Sequence, residues 1–234
     1  MADKIAVVTG AGSGMGRAIA HRLAAHDVRV ILVGRTQAKL DTVANEISQQ
    51  GGSALAYPLD VTDAEGINAL AQTLADAPVD MLINCAGDWL IKSAEETTPA
   101  DLDHILAVNL KGPYLMSRAL IPLLRQSANA SIINIGSSTS MQSHAMVTAY
   151  TAAKAGLRGL TGSLAEELKP DLIRVILLAP GPADTPMRDA ASPDMPKEQR
   201  VPTGTIADMV WALVSLPQGI TTTDFMIKSL RFGG

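Results

Sequence analysis

The segment KIAVVTGAGSGMG, from Lys4 to Gly16, runs from a short apolar stretch into a glycine-rich turn. Its β-branched start is typical of a buried parallel strand, and a helical period of apolar residues begins directly after it. A glycine-rich turn between a strand and a helix is the context in which proteins bind a dinucleotide. The order Gly10, Gly14, Gly16 suits a tight strand exit, backbone approach to a pyrophosphate, and close helix packing. The alternative is a glycine-rich turn without a ligand.

The rest of the chain alternates similar apolar runs with segments of helical period. The seven strand candidates read KIAVVTG, VRVILVGR, ALAYPLDV, VDMLINCAG, ASIINIGS, LIRVILLAPG and DFMIKSL. Six or seven helices are expected between them, with one long helical region at residues 101–125. The alternation predicts an α/β architecture, a doubly wound Rossmann fold with a seven-stranded parallel sheet flanked by helices, in a single domain. Such sheets bind ligands beyond the carboxyl ends of their strands.

One long stretch, GPADTPMRDAASPDMPKEQRVPTG, shows neither a strand period nor a helix period. A loop of this length in a compact domain is usually functional or mobile. We therefore expect a substrate loop at about residues 181–204, within one dinucleotide-binding and catalytic domain that spans residues 1–234.

Composition narrows the classes of protein to which the chain can belong. The 234 residues are 47% hydrophobic and 18% charged, with a formal net charge of −4, which fits a folded globular chain. No long run of like charges or of apolar residues occurs, so neither a nucleic-acid partner nor a membrane span is expected. The single cysteine, Cys85, leaves no internal disulfide and no Cys cluster for a metal. A cytoplasmic location fits this cysteine usage and the lack of a signal-peptide pattern.

The second strand candidate ends in Val33, Gly34 and Arg35. NAD-binding proteins place an Asp or Glu near this point, about 20 residues beyond the glycine turn, to bind the ribose 2′-hydroxyl. This chain has no acid there, and Arg35 offers charge-assisted hydrogen bonds to a 2′-phosphate. The sequence therefore favours NADP(H) over NAD(H). The alternative is a solvated arginine, because Ser13 in the glycine turn adds no second positive charge.

Tyr150 and Lys154 are four residues apart in a segment of helical period, so their side chains lie on one helix face. The ordinary tyrosine pKa is about 10, and a nearby ammonium favours the phenolate. We therefore expect a Tyr150 pKa below this value when Lys154 and an oxidised nicotinamide are present. Ser137 directly follows the strand ASIINIG, which places it at the ligand-binding edge of the sheet. Alone, a Tyr-x-x-x-Lys spacing usually marks an exposed helix face.

From Thr9 to about Leu216, the sequence resembles the classical short-chain dehydrogenase/reductase family. The motifs that carry the resemblance are TGAGSGMG at residues 9–16, Asp60-Val61, NCAG at 84–87, Asn109 within AVNLKG, Ser137 within NIGS, Tyr150 with Lys154, and Pro180-Gly181 followed by Thr185. They occur in the order and spacing of the family, which makes coincidence a poor explanation.

The resemblance implies a catalytic tetrad of Asn109, Ser137, Tyr150 and Lys154. Tyr150 would act as acid and base, Ser137 would hold the substrate oxygen, and Lys154 would hold the nicotinamide ribose and lower the tyrosine pKa. Asn109 would anchor a water-linked proton relay. The implied cofactor-binding residues, with Arg35 included, are Gly10, Ser13, Gly14, Met15, Gly16, Arg35, Asp60, Val61, Asn84, Ala86, Gly87, Tyr150, Lys154, Pro180, Gly181 and Thr185.

The expected function is hydride transfer between NADP(H) and a carbonyl or secondary alcohol, on a small-molecule substrate of 3-oxoacyl, hydroxy acid, sugar alcohol or cyclic ketone type. One alternative is an NAD(H)-dependent alcohol dehydrogenase of the same family, and the other is a non-catalytic nucleotide-sensing protein on the same fold. The family commonly assembles through the helices that contain residues 109–125 and 149–168. We therefore expect a homotetramer or a homodimer.

Overall fold

The computed structural model describes residues 4–232, so the ends of the predicted domain, residues 1–3 and 233–234, lie outside the described residues. All seven predicted strands form. They are β1 (Lys4–Thr9), β2 (Val28–Gly34), β3 (Ala54–Pro58), β4 (Met81–Asn84), β5 (Ser131–Ile135), β6 (Arg174–Pro180) and β7 (Asp224–Ile227). They pair in parallel into one sheet in the order β3-β2-β1-β4-β5-β6-β7.

The apolar runs form strands because helices cover both faces of the sheet. Every residue of β5 and β6 is buried. Ile19 and Leu23 of the first helix belong to the core on one face of the sheet, and Ile67 and Leu120 belong to the core on the other. This arrangement confirms the prediction of a doubly wound, Rossmann-type fold in a single domain.

Eight α-helices occur among residues 4–232, whereas six or seven were predicted. They are α1 (Gly14–Ala24), α2 (Gln37–Gln49), α3 (Ala64–Thr73), α4 (Pro99–Leu106), α5 (Gly112–Leu124), α6 (Thr148–Leu168), α7 (Pro186–Ala191) and α8 (Thr203–Val214). The long helical region divides because a π-helical turn, Ala107–Lys111, separates α4 from α5. No helix in this part of the chain is long and apolar enough to cross a membrane. The predicted cytoplasmic location stays a prediction.

Residues 181–204 are more ordered than the sequence predicted. The short helix α7 begins after Thr185, whose Oγ1 accepts a hydrogen bond from the backbone N–H of Arg188 at 3.3 Å. A parallel bridge between Ala183 and Val201 joins the two ends of the segment. A helix of six residues is too short to show a helical period in the sequence. The helix α7 was therefore not predicted, and the substrate role of this segment stays a prediction.

The strand order creates a crevice at one place on the sheet. After β3, at one edge of the sheet, the chain crosses back to form β4 on the other side of β1. The connections on the two sides of β1 and β4 therefore leave in opposite directions. Open α/β sheets bind their ligands beyond the carboxyl ends of strands at such a switch point.

Candidate active site

The glycine-rich turn leaves the carboxyl end of β1 at this switch point. Gly10 and Gly14 have φ angles of +67° and +52°, which favour glycine. A side chain at Gly10 would place its Cβ 2.9 Å from the Cα of Ala86, and one at Gly16 would place its Cβ 2.3 Å from the carbonyl oxygen of Gly10. The turn, the end of β4 and the start of α1 can approach one another only because these positions lack side chains.

The N-terminus of α1 has the electrostatic features of an anion-binding site. Ser13 precedes the helix without a side-chain cap hydrogen bond, and no acidic residue lies in the first helical turn. The helix therefore presents its first N–H groups and the positive end of its dipole. With the cradle that the glycines leave open, this arrangement fits the pyrophosphate of a dinucleotide.

A cleft runs from this turn across the ends of β1, β2 and β4, and we call it the glycine cleft. It is lined by most of the predicted cofactor residues, which are Gly10, Ser13, Gly14, Met15, Gly16, Arg35, Asp60, Val61, Ala86, Gly87 and Thr185. Residues from widely separated parts of the sequence thus meet in one depression, as the resemblance implied.

Two cations and one carboxylate line the end of the glycine cleft near β2. Arg35 is exposed, and Lys39, which the sequence analysis did not select, lines the same wall. A Cβ at Gly12 would lie 3.1 Å from the Cβ of Lys39, so α2 brings this lysine against the glycine turn. Burial raises the pKa of Asp60, but hydrogen bonds from Thr62 and the charge of Arg35 outweigh it and hold that pKa below its ordinary value.

Thr9 fixes the ends of β1 and β4 relative to each other. Its Oγ1 accepts hydrogen bonds of 3.0 Å from the backbone N–H groups of Cys85 and Ala86. Ala86 thereby lies against Gly10, and Gly87 follows it into the glycine cleft.

The side chain of Asn84, a predicted cofactor residue, points away from the glycine cleft. Its Nδ2 donates to Asn134 Oδ1 at 2.8 Å and to Ser117 Oγ at 3.4 Å. The residue is buried and does not line the glycine cleft. Its side chain thus connects β4 to β5 and α5.

A smaller cavity, which we call the tyrosine cavity, adjoins the glycine cleft. Its walls include Ser137, Tyr150, Pro180 and Gly181, which were predicted, together with Trp89 and Arg188, which were not. Met15, Thr185 and Met187 line both spaces. The two spaces are therefore neighbours.

The side chains of Lys154 and Asn109 both lie close to Gly87. Lys154 lies one helical turn after Tyr150 on α6, and its Nζ donates to the carbonyl oxygen of Ile135 at 2.9 Å. Asn109 lies in the π-helical turn and accepts a 3.3 Å hydrogen bond from the backbone N–H of Asp88. A Cβ at Gly87 would lie 3.0 Å from Asn109 Oδ1 and 3.8 Å from Lys154 Nζ. The absence of a side chain at Gly87 therefore leaves room for both groups.

Burial controls the pKa of Tyr150 in the protein without a nicotinamide. Burial raises the pKa of Tyr150 to about 12, although the Ser137 side chain and the Arg188 charge act to lower it. Burial also lowers the pKa of Lys154 to about 8, and Lys154 Nζ lies 5.7 Å from the centroid of the tyrosine ring. In the protein without a nicotinamide, desolvation of the phenolate outweighs the effects of Ser137 and Arg188. The lowered tyrosine pKa was expected with an oxidised nicotinamide bound, and it stays a prediction.

Trp89 and Arg188 were not predicted as site residues, because tertiary structure brings them to the site. The Trp89 ring packs edge-on against Tyr150, with 4.4 Å between centroids. The Arg188 guanidinium lies 5.2 Å from the centroid of the Trp89 ring. Trp89 did carry one usable signal, since it follows NCAG at a strand end. Arg188 lies in the segment for which no helix was predicted.

Comparison with known proteins agrees with the fold and the motifs. The family model for short chain dehydrogenases matches residues 4–196. An uncharacterised oxidoreductase of Staphylococcus aureus (strain USA300) is 31% identical over 230 residues, which cover 97% of this chain and 98% of that protein. The fold defines a doubly wound, nucleotide-binding class of protein. Within it, the chain belongs to the classical short-chain dehydrogenase/reductase family and is an oxidoreductase.

Two solved structures show how closely the architecture agrees. An alcohol dehydrogenase from the archaeon Thermococcus sibiricus, complexed with 5-hydroxy-NADP, has a TM-score of 0.91 and 28% identity over 99% of this chain and 98% of that chain. A metagenomic short-chain oxidoreductase in complex with NADP has a TM-score of 0.84 and 36% identity over 96% of each chain. Both neighbours bind a form of NADP.

Proposed function

We propose that this protein is an NADP(H)-dependent oxidoreductase that reduces a carbonyl group or oxidises a secondary alcohol. One observation carries the proposal: Ser137 and Tyr150 line a single cavity that adjoins the glycine cleft. A hydroxyl pair beside a dinucleotide cradle is the arrangement that hydride transfer coupled to proton transfer requires. The residues that would hold the dinucleotide are those that line the glycine cleft, with Lys154 at the ribose of the nicotinamide.

Tyr150 would donate the proton during reduction. A bound nicotinamide would supply or accept the hydride. Since burial raises the pKa of Tyr150 to about 12, the phenol keeps its proton at neutral pH and can give it to a developing alkoxide. Ser137 lines the same cavity and would hold the substrate oxygen near the phenol.

Lys154 and Asn109 would assist this proton transfer without contacting the substrate. Lys154 would bind the ribose hydroxyls and favour the phenolate once Tyr150 has given up its proton. The Asn109 side chain binds the backbone of Asp88 through two hydrogen bonds, at 3.3 Å and 3.0 Å. This contact would fix the end of the proton relay that the family resemblance implies.

We propose NADP(H) as the preferred cofactor, because Arg35 and Lys39 line the same end of the glycine cleft. NADP(H) should bind more tightly than NAD(H), and Arg35→Asp should reverse the preference. Lys39→Ala should weaken NADPH binding roughly tenfold and leave NADH binding nearly unchanged. Fluorescence titration of both cofactors measures these affinities. Arg29→Asp, at an exposed position at the start of β2, is the control. Equal or tighter binding of NADH by the unmodified protein would favour the NAD(H)-dependent alternative.

A substrate panel tests the activity itself. The panel contains 3-oxoacyl thioesters, oxo acids, ketoses and cyclic ketones, each followed by NADPH absorbance with NADH in parallel. The proposal predicts turnover of at least one class. Tight nucleotide binding with no turnover of any class would support the nucleotide-sensing alternative.

We also propose a homotetramer that assembles through α5 and α6. Tyr114 of α5 is 47% exposed. On α6, a Cβ built at Gly159 or at Gly162 would have no neighbour within 4 Å. An exposed ring on α5 and open glycine positions on α6 support close packing of a second copy.

A further inference from the structure

Arg188 brings a positive charge to the wall of the tyrosine cavity. Its guanidinium lies over the ring of Trp89, and that ring packs against Tyr150. One indole therefore separates the cation from the proposed proton donor. A guanidinium has five N–H donors, so a contact with an aromatic ring leaves donors available for a planar partner.

The acids nearest in sequence to Arg188 are bound to another residue. Asp184 and Asp189 both pair with Arg200, whose side chain is only 3% exposed. Among residues 4–232, no acid forms an ion pair with Arg188. Its guanidinium has one hydrogen bond in that range, at 3.4 Å to Ser192 Oγ. The charge of Arg188 is therefore not neutralised within the described part of the chain.

No carboxylate of the described residues lines the tyrosine cavity around Arg188. The Trp89 Nε1 atom is buried and has no acceptor among residues 4–232. Ala183, Met187 and Ala191 supply much of the remaining wall of the cavity, and burial lowers the pKa of Arg188. A half-buried cation without a counter-charge is costly unless an anion pairs with it. The molecule that enters this cavity is the available source of that anion.

We infer that the substrate carries a carboxylate and that Arg188 binds it while the carbonyl oxygen faces Ser137 and Tyr150. This inference rests on the proposed function and selects oxo and hydroxy acids from the substrate types considered above. The parallel N–H groups of a guanidinium match the two oxygens of a carboxylate. A neutral sugar alcohol or cyclic ketone would leave Arg188 without a partner. Arg188 is thus a specificity-determining residue.

Matched substrates give the kinetic test. Acetoacetate and levulinate are compared with their methyl esters at saturating NADPH, and the result is the acid-to-ester ratio of kcat/KM. The unmodified protein should prefer the acids, and Arg188→Met should lower kcat/KM for the acids roughly 10- to 100-fold, so that the ratio falls towards one. Arg188→Lys should restore part of the ratio. Arg29→Met, remote from the cavity, should keep it.

Two kinetic results would overturn the inference. The first is a preference for the esters, or an acid-to-ester ratio that Arg188→Met leaves unchanged, while the protein still turns over carbonyl compounds. The proposed function would then stand, and the carboxylate inference would not. The second is a several-fold weaker NADPH affinity in Arg188→Met with the ratio unchanged. That result would assign Arg188 to a phosphate of the cofactor.

A binding test decides the matter if no carbonyl compound is turned over. Saturation-transfer NMR compares butyrate with butyramide on the NADPH-loaded protein and on its Arg188→Met variant. Binding of butyrate alone, lost in the variant, would support the carboxylate site even if the proposed activity fails. Equal signals from butyrate and butyramide, or butyrate binding that survives Arg188→Met, would overturn it.

Discussion

Tyr150 has opposite requirements in the two directions of the proposed reaction. As a proton donor in reduction, it benefits from the burial that raises its pKa to about 12. As a base in oxidation, it must lose that proton. The Ser137 side chain and the Arg188 charge favour the loss, and Lys154 would add to this in the proposed complex with a nicotinamide. An alcohol should therefore be oxidised faster as the pH rises, whereas reduction should not require alkaline conditions.

Tyr150→Phe separates chemistry from binding. The variant keeps the ring that packs against Trp89 but removes the proton donor, so turnover should fall roughly 10² to 10⁴-fold. The affinity for NADPH should stay nearly the same. Steady-state rates and a fluorescence titration measure the two effects. Tyr57→Phe, on β3 and outside both cavities, should change neither. If Tyr150→Phe retains most of its activity, Tyr150 is not the acid.

Lys154 should make the free energy of unfolding depend on pH. Its pKa is about 8 in the folded protein, below its ordinary value of 10.5. Between these values, the unfolded chain binds more protons than the folded one, so this lysine makes the free energy of unfolding rise with pH. The unmodified protein should therefore gain stability relative to Lys154→Met from about pH 8 to about pH 10.5. Urea unfolding of both proteins without cofactor measures the difference. A difference that stays flat or declines over this range would contradict the lowered pKa.

At the level of elements, the sheet was predictable and some of the helices were not. A parallel strand covered on both faces must be apolar along its length, and runs such as LIRVILLAPG show this directly. The π-helical turn at Ala107–Lys111 leaves no such pattern, because its flanking helices continue the apolar period. The short helix α7 is set by the cap at Thr185 and by the bridge from Ala183 to Val201, which is a tertiary contact.

The candidate site likewise contains residues that the sequence predicts and residues that it does not. Glycines and the Tyr-x-x-x-Lys pair were predictable because local geometry or chemistry requires those residue types at fixed spacing. No motif marks Lys39 or Arg188 in the sequence, and only packing brings them to the cavities. Asn84 shows the opposite case, because it belongs to a recognisable motif while its side chain faces the neighbouring strand.

Asn84→Ala should therefore weaken the fold rather than cofactor binding. The change leaves Asn134 Oδ1 without its donor in a buried place, which should lower the free energy of unfolding by about 1–3 kcal/mol. The affinity for NADPH should remain within experimental error. Urea unfolding and fluorescence titration give the two values. Asn134→Ala removes the same hydrogen bond and is the matched comparison. A large loss of NADPH affinity with an unchanged free energy of unfolding would show that Asn84 serves cofactor binding.

At the scale of the whole molecule, the tyrosine cavity and the proposed interface use different faces of α6. The buried face of α6 carries Tyr150 and Lys154, and its exposed face carries Gly159 and Gly162. Contact with a second copy through α6 would restrict the helix that positions both catalytic groups. Assembly and catalysis should therefore be coupled through this one element.

Gly159→Arg tests the proposed assembly. A long cation on a helix face that packs against a second copy should lower the particle mass, from about four times 24.4 kDa to a smaller species. Multi-angle light scattering at several micromolar concentrations measures that mass. Ala69→Arg introduces the same side chain at an exposed position of α3 and should leave the mass unchanged. A mass near 24.4 kDa for the unmodified protein at every concentration would exclude the tetramer. A tetramer that persists in Gly159→Arg would place its interfaces away from this face of α6.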